Sequence, residues 1–241
     1  MSDAIRERGQ AAGVVMGPWG PVAAAIFDMD GLLIDSEPLW QIAIASVCQR
    51  RGGAYTDADV GLCQGRGLRH TVEHLLIKHE WPRGEGGGLE AEIGDEMCRL
   101  SPGAPDLPGV RELLGALRGR VPLGLASSSP EALVRASVGG RPYFGWFAAV
   151  VSGDRVARPK PAPDVFLEAA RRLGAPPERC LAFEDSRAGC ESARAAGMRV
   201  VAVPAGPHKT FEPVADLVVS SLAEVVHELG LSDLASDGVG A

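Results

Sequence analysis

Short apolar runs that end abruptly in polar residues recur along this chain of 241 residues. The first, at residues 22–27, is almost entirely apolar, which is typical of a strand buried on both faces of a parallel sheet. Further runs of this kind predict strands at 121–126, 147–151, 180–183 and 200–203, with a weaker one at 217–219. Helices are predicted between them at 110–117, after Pro130, at 162–173 and from 186 to 196. Gly174 and Gly197 follow two of these helices, as glycine commonly does at a helix end.

This alternation of strands and helices implies right-handed crossovers between parallel strands. Five or six strands connected in this way form a doubly wound parallel sheet. We therefore predict an α/β fold.

Residues 37–100 break the alternation, because only helices are predicted there. One helix opens with Pro38, Leu39 and Trp40, and others are predicted at 68–79 and 89–100, with a turn-rich connector at 82–88. We interpret this block as a helical cap inserted after the first strand. The predicted organisation is a flexible leader at 1–20, a core made of 21–36 and 103–241, and a cap at 37–102.

Composition narrows the classes of function. Hydrophobic residues make up 46% of the chain, and 24 basic residues face 31 acidic ones for a formal charge of -7. That balance argues against binding nucleic acid. No apolar stretch approaches the ~20 residues of a membrane helix, and the first twenty residues lack the apolar core of a secretory signal. The five cysteines are scattered, which favours free thiols and a cytoplasmic protein. Without a heptad pattern or an evident apolar interface, we predict a monomer or a weak homodimer.

Polar side chains follow the predicted strands where each strand ends. In an open parallel sheet, ligands bind outside these carboxyl ends. The residues concerned are Asp28 and Asp30, then Ser127, then Lys160, then Glu184 and Asp185.

Each of these features alone has an ordinary structural explanation. Asp30 with Gly31 could form a turn, and the serines at 127–129 could cap the next helix. Lys160 could be a solvated surface lysine, and Glu184 with Asp185 could serve a helix N-terminus. Their joint placement at successive strand ends favours a shared site.

The chemistry of such a site is phosphoryl transfer. Crowded carboxylates need a counter-cation, and oxygen-only ligands beside a phosphate favour Mg²⁺. Asp28 would bind the metal and act as nucleophile, forming an aspartyl-phosphate. Asp30 would donate a proton to the leaving oxygen and later take one from water, and its backbone carbonyl is a further candidate metal ligand.

The other strand ends supply the remaining contacts. Ser127 would hydrogen-bond a phosphoryl oxygen, and the backbone N–H of Ser128 would be a second donor. Lys160 would neutralise charge on the transferred group. Glu184 and Asp185 would hold magnesium from the opposite side.

Four segments carry a family resemblance. They are FDMDG with LLIDSEPLW (27–40), GLASSSP (124–130), RPKPAPDVF (158–166) and FEDSRAGCESARAAGM (183–198). In these motifs and their order the chain resembles phosphatases of the haloacid dehalogenase superfamily that carry a helical cap. The resemblance implies a Rossmann-like core, Mg²⁺, Asp28 as nucleophile and Asp30 as acid and base. A dehalogenase is disfavoured, because the hydrolytic dehalogenases of this superfamily lack the second aspartate.

Two narrower groups share these motifs. The chain is similar to β-phosphoglucomutases, but those carry a histidine where this chain has Trp40. It looks closer to bacterial phosphatases acting on 2-deoxyglucose 6-phosphate and hexitol phosphates. We predict a phosphatase for a small phosphorylated sugar or polyol, with a phosphosugar mutase as the alternative. A catalytically silent phosphate-binding protein would have lost catalytic residues, and none is missing. An oxidoreductase is disfavoured because no G-x-G-x-x-G follows the first strand.

Substrate choice is expected to depend on the cap. The candidate residues are Glu37, Trp40, Arg66, Arg69 and His70. Glu37, Arg66 and Arg69 are predicted to bind substrate, although both arginines could also be solvated at a helix end. Trp40 and His70 have packing or surface roles as their simpler explanation.

Overall fold

A six-stranded parallel sheet forms the centre of the molecule. The computed structural model describes residues 16–17, 20–63, 67–205 and 211–228. A small antiparallel hairpin of β1 (Met16–Gly17) and β2 (Gly20–Pro21) precedes the sheet. The strands of the sheet are β3 (Ala24–Phe27), β4 (Leu123–Ala126), β5 (Phe147–Val151), β6 (Cys180–Glu184), β7 (Arg199–Ala202) and β8 (Leu217–Val218). Their order is β5-β4-β3-β6-β7-β8, and all neighbouring pairs are parallel.

Helices cover both faces of this sheet because successive side chains of a strand point to opposite sides. In β3, Ala25 and Phe27 join one hydrophobic cluster, and Ala24 and Ile26 join the other. The helices of the core are α5 (Val110–Leu117), α6 (Glu131–Val138), α7 (Asp164–Leu173), α8 (Arg187–Ala195) and α9 (Leu222–Glu228), where α1 to α4 precede them in the chain. Side chains of α5, α6 and α9 lie on the face of Phe27, and those of α7 and α8 lie on the face of Ile26.

Between β3 and β4, the described residues form four α-helices, which make up the helical cap. They are α1 (Glu37–Arg50), α2 (Asp57–Cys63), α3 (Leu68–Lys78) and α4 (Gly86–Leu100). Val47, Leu75 and Ile93 belong to a hydrophobic cluster of their own, which Leu133 of α6 also joins. The cap is therefore packed internally and rests on the core at α6. Its predicted limits as a domain, 37 and 102, stay a prediction, and most of the predicted leader lies outside the described residues.

The predicted alternation of strands and helices is confirmed, with differences of a few residues at the ends. The strand predicted from 121 begins at Leu123, because the backbone N–H of Val121 still donates to Leu117 at the end of α5. Two helices were not predicted, α2 and α9, which are seven residues each. A segment of that length shows too little of the helical repeat to be recognised. Among the described helices, none has the length and apolar character required to cross a membrane.

The order of the strands locates the crevice of the sheet. From β3 the chain moves outward to β4 and β5, then returns to the other side of β3 with β6. The strand order thus reverses beside β3, and ligands of open α/β sheets bind at such a reversal. The carboxyl ends of β3, β4 and β6 meet there.

Candidate active site

Asp28 is placed by a one-residue extension of the sheet. Its backbone N–H donates to the carbonyl of Phe183 at 3.0 Å, so pairing between β3 and β6 continues past the end of β3. The rings of Phe27 and Phe183 stack beneath it with centroids 4.5 Å apart. Asp28 is 6% exposed. The sheet therefore fixes a buried carboxylate at the reversal of the strand order.

Lys160 brings a buried cation to the same point. Its Nζ donates to Asp28 Oδ1 at 2.5 Å, to Glu184 Oε1 at 2.6 Å and to the carbonyl of Ala126 at 3.0 Å. Phe166 lies beneath the ammonium, with the ring centroid 4.8 Å from Nζ. Burial alone would lower the pKa of Lys160, but the charges of Asp28 and Glu184 outweigh it and raise the pKa. Lys160 is therefore a permanent positive charge shared by three strand ends.

Glu184 is the last residue of β6 and is completely buried. Its Oε2 accepts hydrogen bonds from the backbone N–H and the hydroxyl of Ser186, at 3.0 and 2.9 Å. Ser186 in turn caps α8 by accepting from the N–H of Gly189 at 3.1 Å. Ser186, rather than Glu184 or Asp185, is the N-cap of α8. Glu184 faces Lys160 instead, and its role at a metal site stays a prediction.

Two glycines make room for the carboxylates. A Cβ at Gly189 would lie 1.7 Å from Glu184 Oε1, and a Cβ at Gly31 would lie 2.2 Å from Asp185 Oδ2. Gly31 also has a φ of +75°, which other residues rarely adopt. Neither position can carry a side chain without moving a carboxylate.

Three carboxylates form a cluster that can hold a metal. Asp28, Glu184 and Asp185 each offer one oxygen, and the three oxygens lie within 4.8 Å of one another. Burial raises the pKa of Asp28 to about 8, with Lys160 opposing and Glu184 and Asp30 adding to the effect. Burial, together with the charges of Glu184 and Asp28, also holds the pKa of Asp185 well above its usual range.

The charges of this cluster do not balance. Among the described residues, three carboxylates face one ammonium, that of Lys160, in a region shielded from water, where uncompensated charge is costly. Oxygen-only ligands with surplus negative charge suit a hard divalent cation. The residues present therefore fit a divalent metal, bound by Asp28, Glu184 and Asp185.

The Asp30 carboxyl is not a member of this cluster. Its Oδ2 accepts a hydrogen bond from Ser129 Oγ at 2.8 Å, and the side chains of Ser36 and Trp40 are close enough to the carboxyl to oppose the effect of burial on its pKa. Burial raises its pKa, which favours the protonated acid. The structure thus separates the Asp30 carboxyl from the metal-binding set, and a metal contact through its backbone carbonyl stays a prediction. Ser129 was not singled out from sequence, although it belongs to the serine triplet at 127–129.

The loop after β4 orients Ser127. Its backbone N–H donates to the carbonyl of Val151 at 3.0 Å, and its Oγ accepts from the N–H of Ser129 at 3.0 Å. The hydroxyl of Ser127 is buried but keeps its own proton for donation. Gly153 lies against this loop, since a Cβ there would be 2.1 Å from the carbonyl of Ser128. The serines at 127–129 do not occupy the capping position of the next helix, because Pro130 is the N-cap of α6. The phosphate contact of Ser127 stays a prediction.

The predicted cap residues have different surroundings in the structure. Glu37 begins α1. Partial burial, together with the charges of Asp30 and Asp35, raises its pKa, so it lies near Asp30 in the segment that follows β3. The side chain of Arg69 is 87% exposed and pairs with Glu73 at 3.5 Å, as a solvated helix residue does. Arg66 lies outside the described residues. Trp40 packs against the hydrophobic cluster of the cap.

Known proteins share this arrangement of segments. Residues 22–197 match the family described as haloacid dehalogenase-like hydrolase. Hexitol phosphatase B from Escherichia coli K12 is 36% identical over 213 residues, which cover 85% of this chain and 94% of that protein. Protein CbbY from Rhodobacter capsulatus is 48% identical over 198 residues, which cover 75% of this chain and 85% of that protein.

A solved structure agrees with the fold. The crystal structure of a CbbY variant from Rhodobacter sphaeroides in complex with xylulose-(1,5)bisphosphate is 25% identical, with a TM-score of 0.74. The match covers 84% of this chain and 96% of that one. The predicted Rossmann-like α/β fold is confirmed, and so is the predicted class of enzyme, a phosphatase. The chain belongs to the family of haloacid dehalogenase-like hydrolases.

Proposed function

We propose that this protein is a Mg²⁺-dependent phosphatase that hydrolyses a small sugar or polyol phosphate through an aspartyl-phosphate on Asp28. The observation that carries the proposal is the buried ammonium of Lys160, bonded to both Asp28 and Glu184 beside Asp185. The substrate class is supported by the relatives, of which one is named a hexitol phosphatase and another binds a sugar bisphosphate. The protein is proposed to act in the cytoplasm without nucleic acid or membrane partners.

The first half of the proposed reaction forms the intermediate. The carboxylate oxygen of Asp28 that Lys160 does not bind attacks phosphorus, and the bond from phosphorus to the ester oxygen breaks. The electron pair stays on that oxygen, which takes the proton of Asp30. Mg²⁺ held by Asp28, Glu184 and Asp185 would neutralise charge on the phosphoryl oxygens. Lys160 and the hydroxyl of Ser127 fix the transferred group.

The second half restores the enzyme. Asp30, now a carboxylate, takes a proton from a water molecule as that water attacks phosphorus. The bond between phosphorus and Asp28 breaks, and inorganic phosphate leaves. The hydroxyl of Ser129 donates to Asp30 Oδ2 and so holds the Asp30 carboxyl in place through both steps. The second half returns both Asp28 and Asp30 to their starting forms, so the cycle closes with water as the only other reactant.

The mechanism is tested with p-nitrophenyl phosphate in the presence of Mg²⁺ or a chelator. We expect turnover that requires Mg²⁺ and disappears in Asp28→Asn. With Asp30→Asn, which forms the intermediate but hydrolyses it slowly, mass spectrometry of the denatured protein should find a phosphoryl group on Asp28. Turnover that persists in the chelator or in Asp28→Asn contradicts the mechanism. A panel of phosphorylated sugars, polyols and nucleotides ranked by kcat/KM tests the substrate class.

A phosphosugar mutase is the alternative. The residue relevant to this alternative is Trp40, which packs against the hydrophobic cluster of the cap. The mutases have a histidine at this position. β-Glucose 1-phosphate supplied with a bisphosphate activator should therefore give free phosphate. Efficient formation of glucose 6-phosphate would show that the protein is a mutase and not a phosphatase.

A further inference from the structure

Two chain segments connect the sheet to the cap. The outgoing crossing, residues 28–36, runs from β3 to α1, and the return crossing, residues 101–109, runs from α4 to α5. The two crossings pair with each other through their backbones. Ile34 and Asp106 form an antiparallel bridge, flanked by hydrogen bonds from the N–H of Leu107 to Leu33 at 3.1 Å and from the N–H of Asp35 to Pro105 at 3.0 Å.

The outgoing crossing also folds back on Asp30. Ile34 forms a second, parallel bridge with Asp30, and its carbonyl accepts from the N–H of Gly31 at 3.0 Å. Ile34 is completely buried. It therefore lies between the return crossing on one side and the backbone of the proton-transfer residue on the other.

The side chain of Asp106 is held from three directions. Its Oδ1 accepts from the hydroxyl of Tyr143 at 2.9 Å and from the guanidinium of Arg141, and its Oδ2 accepts from Nε of Arg111 at 2.8 Å. Arg141 also donates to the carbonyl of Ala104 in the return crossing at 2.6 Å. Tyr143 is only 1% exposed. The sheet core thus fixes the return crossing at Asp106 by charge and hydrogen bonds rather than by apolar packing alone.

We infer that Asp106 is a positioning residue for Asp30, acting through the backbone bridges Asp106–Ile34–Asp30. None of its described contacts is with the carboxylate cluster, and its side chain points to Arg111, Arg141 and Tyr143. Asp106 fixes where the crossings leave the core, and with it the loop that carries the Asp30 carboxyl. The kinetic test of this role rests on the proposed phosphatase activity, and the exchange test below does not.

The matched control for Asp106 is Asp216. The two carboxylates are almost equally buried, with side chains 14% and 15% exposed, and both bind arginine. Asp216 accepts from Arg199 at 3.2 Å and from the N–H of Val200 at 2.9 Å, at the beginning of β7 and away from the catalytic end of the sheet. Comparing Asp106→Ala with Asp216→Ala separates positioning from general loss of stability.

We expect Asp106→Ala to lower kcat on p-nitrophenyl phosphate about tenfold or more while KM changes less than about threefold, because misplacing a reacting group mainly slows the chemical step. Asp216→Ala should keep kcat within about twofold. In hydrogen exchange, the amides of Asp35 and Leu107 should exchange about tenfold faster in Asp106→Ala than in Asp216→Ala, as local opening of the paired crossings predicts.

Equal kcat values in the two variants, or equal exchange of those two amides, would overturn the inference. If Asp106→Ala does not fold, Tyr143→Phe removes one donor to Asp106 and must lower kcat in the same sense, with faster exchange at Asp35. If the wild type hydrolyses no phosphate ester, the proposed function fails, and the exchange of Asp35 and Leu107 alone decides whether Asp106 fixes the crossings.

Discussion

Two lysine–aspartate pairs in this molecule, each with a buried aspartate, shift the pKa of that aspartate in opposite directions. At the strand ends, Lys160 Nζ lies 2.5 Å from Asp28, and in the cap Lys78 Nζ lies 2.5 Å from Asp59. The pKa of Asp28 is raised to about 8, whereas the pKa of Asp59 is held far below its usual range. The distance to the lysine is the same, so the effect of burial and the other neighbours decide the difference between the two pKa values.

Those neighbours are carboxylates in one place and donors in the other. Glu184 and Asp30 add negative charge beside Asp28, and burial dominates. Asp59 is also buried, but His74, Lys78 and Thr56 all donate to it, with Thr56 contributing both its N–H and its hydroxyl. In the cap, the donors around Asp59 satisfy its negative charge within the protein. At the strand ends, negative charge remains that a bound cation can balance.

The largest expected effect is the loss of kcat on replacing Asp28, which distinguishes the strand-end pair from the cap pair. Asp28→Asn should lower kcat by about four orders of magnitude or more, as expected for loss of a nucleophile. Its free energy of unfolding, measured by urea in a chelator, should not fall, because the substitution removes one of three crowded carboxylates. Steady-state kinetics and urea titration of the same preparation give both values. A variant that unfolds more easily and keeps turnover would contradict the comparison, since Asp28 would then be structural like Asp59.

The second effect comes from the space around Glu184. Gly189→Ala places a methyl group where Glu184 Oε1 lies, so Glu184 must shift away from Lys160. We expect kcat to fall about 100-fold, the effect of displacing a catalytic group by about 1 Å. Gly94 in α4 is the control, because a Cβ there meets nothing within 4 Å. Gly94→Ala should keep kcat and stabilise the protein by about 0.5–1 kcal/mol. Similar kinetics for the two alanine variants would show that Glu184 tolerates displacement.

The strand-end site was largely predictable from sequence, and the reason is topological. Apolar runs mark buried parallel strands, and the residue after each run must lie at the carboxyl edge of the sheet. Asp28, Ser127 and Glu184 could therefore be grouped before any contact was known. Lys160 was grouped with them as well, although it lies nine positions beyond Val151, the last residue of β5.

Partners that depend on packing between distant elements could not be predicted. Ser129 and Asp30 are 99 positions apart, and neither pattern nor spacing pairs them. Asp59 lies in the short helix α2, which was not predicted, and its donors come from α3. Arg69 was predicted to bind substrate, and in the structure its described contact is Glu73 on its own helix. No comparable rule says which residues of a helical cap face the site. Their roles can be assigned only from contacts in the structure.

A smaller effect, on stability, is expected on replacing Asp59 of the cap pair. Asp59→Ala should lower the free energy of unfolding by about 2 kcal/mol, less than for a deeply buried pair, because Lys78 and His74 are 29% and 24% exposed and regain water. Urea unfolding measures the loss, and kcat should stay within about threefold because no described contact of Asp59 reaches the carboxylate cluster. Asp57, exposed in the first turn of the same helix, is the control and should change stability by less than about 0.5 kcal/mol. Equal losses at both positions would mean that the donors around Asp59 contribute nothing.

The smallest effect is the pH dependence of that same pair. The folded-state pKa of Asp59 lies below its ordinary value of 3.8, so its contribution to stability is fully present above about pH 4. As the pH falls further, the unfolded chain takes up a proton before the folded protein does, and the contribution is lost. The difference in unfolding free energy between wild type and Asp59→Asn should therefore be constant from pH 7 to about pH 5. Below about pH 4 it should narrow by at most ~1.4 kcal/mol per pH unit. Narrowing that is already complete at pH 5 would assign the effect to a different group and remove the contrast with Asp28.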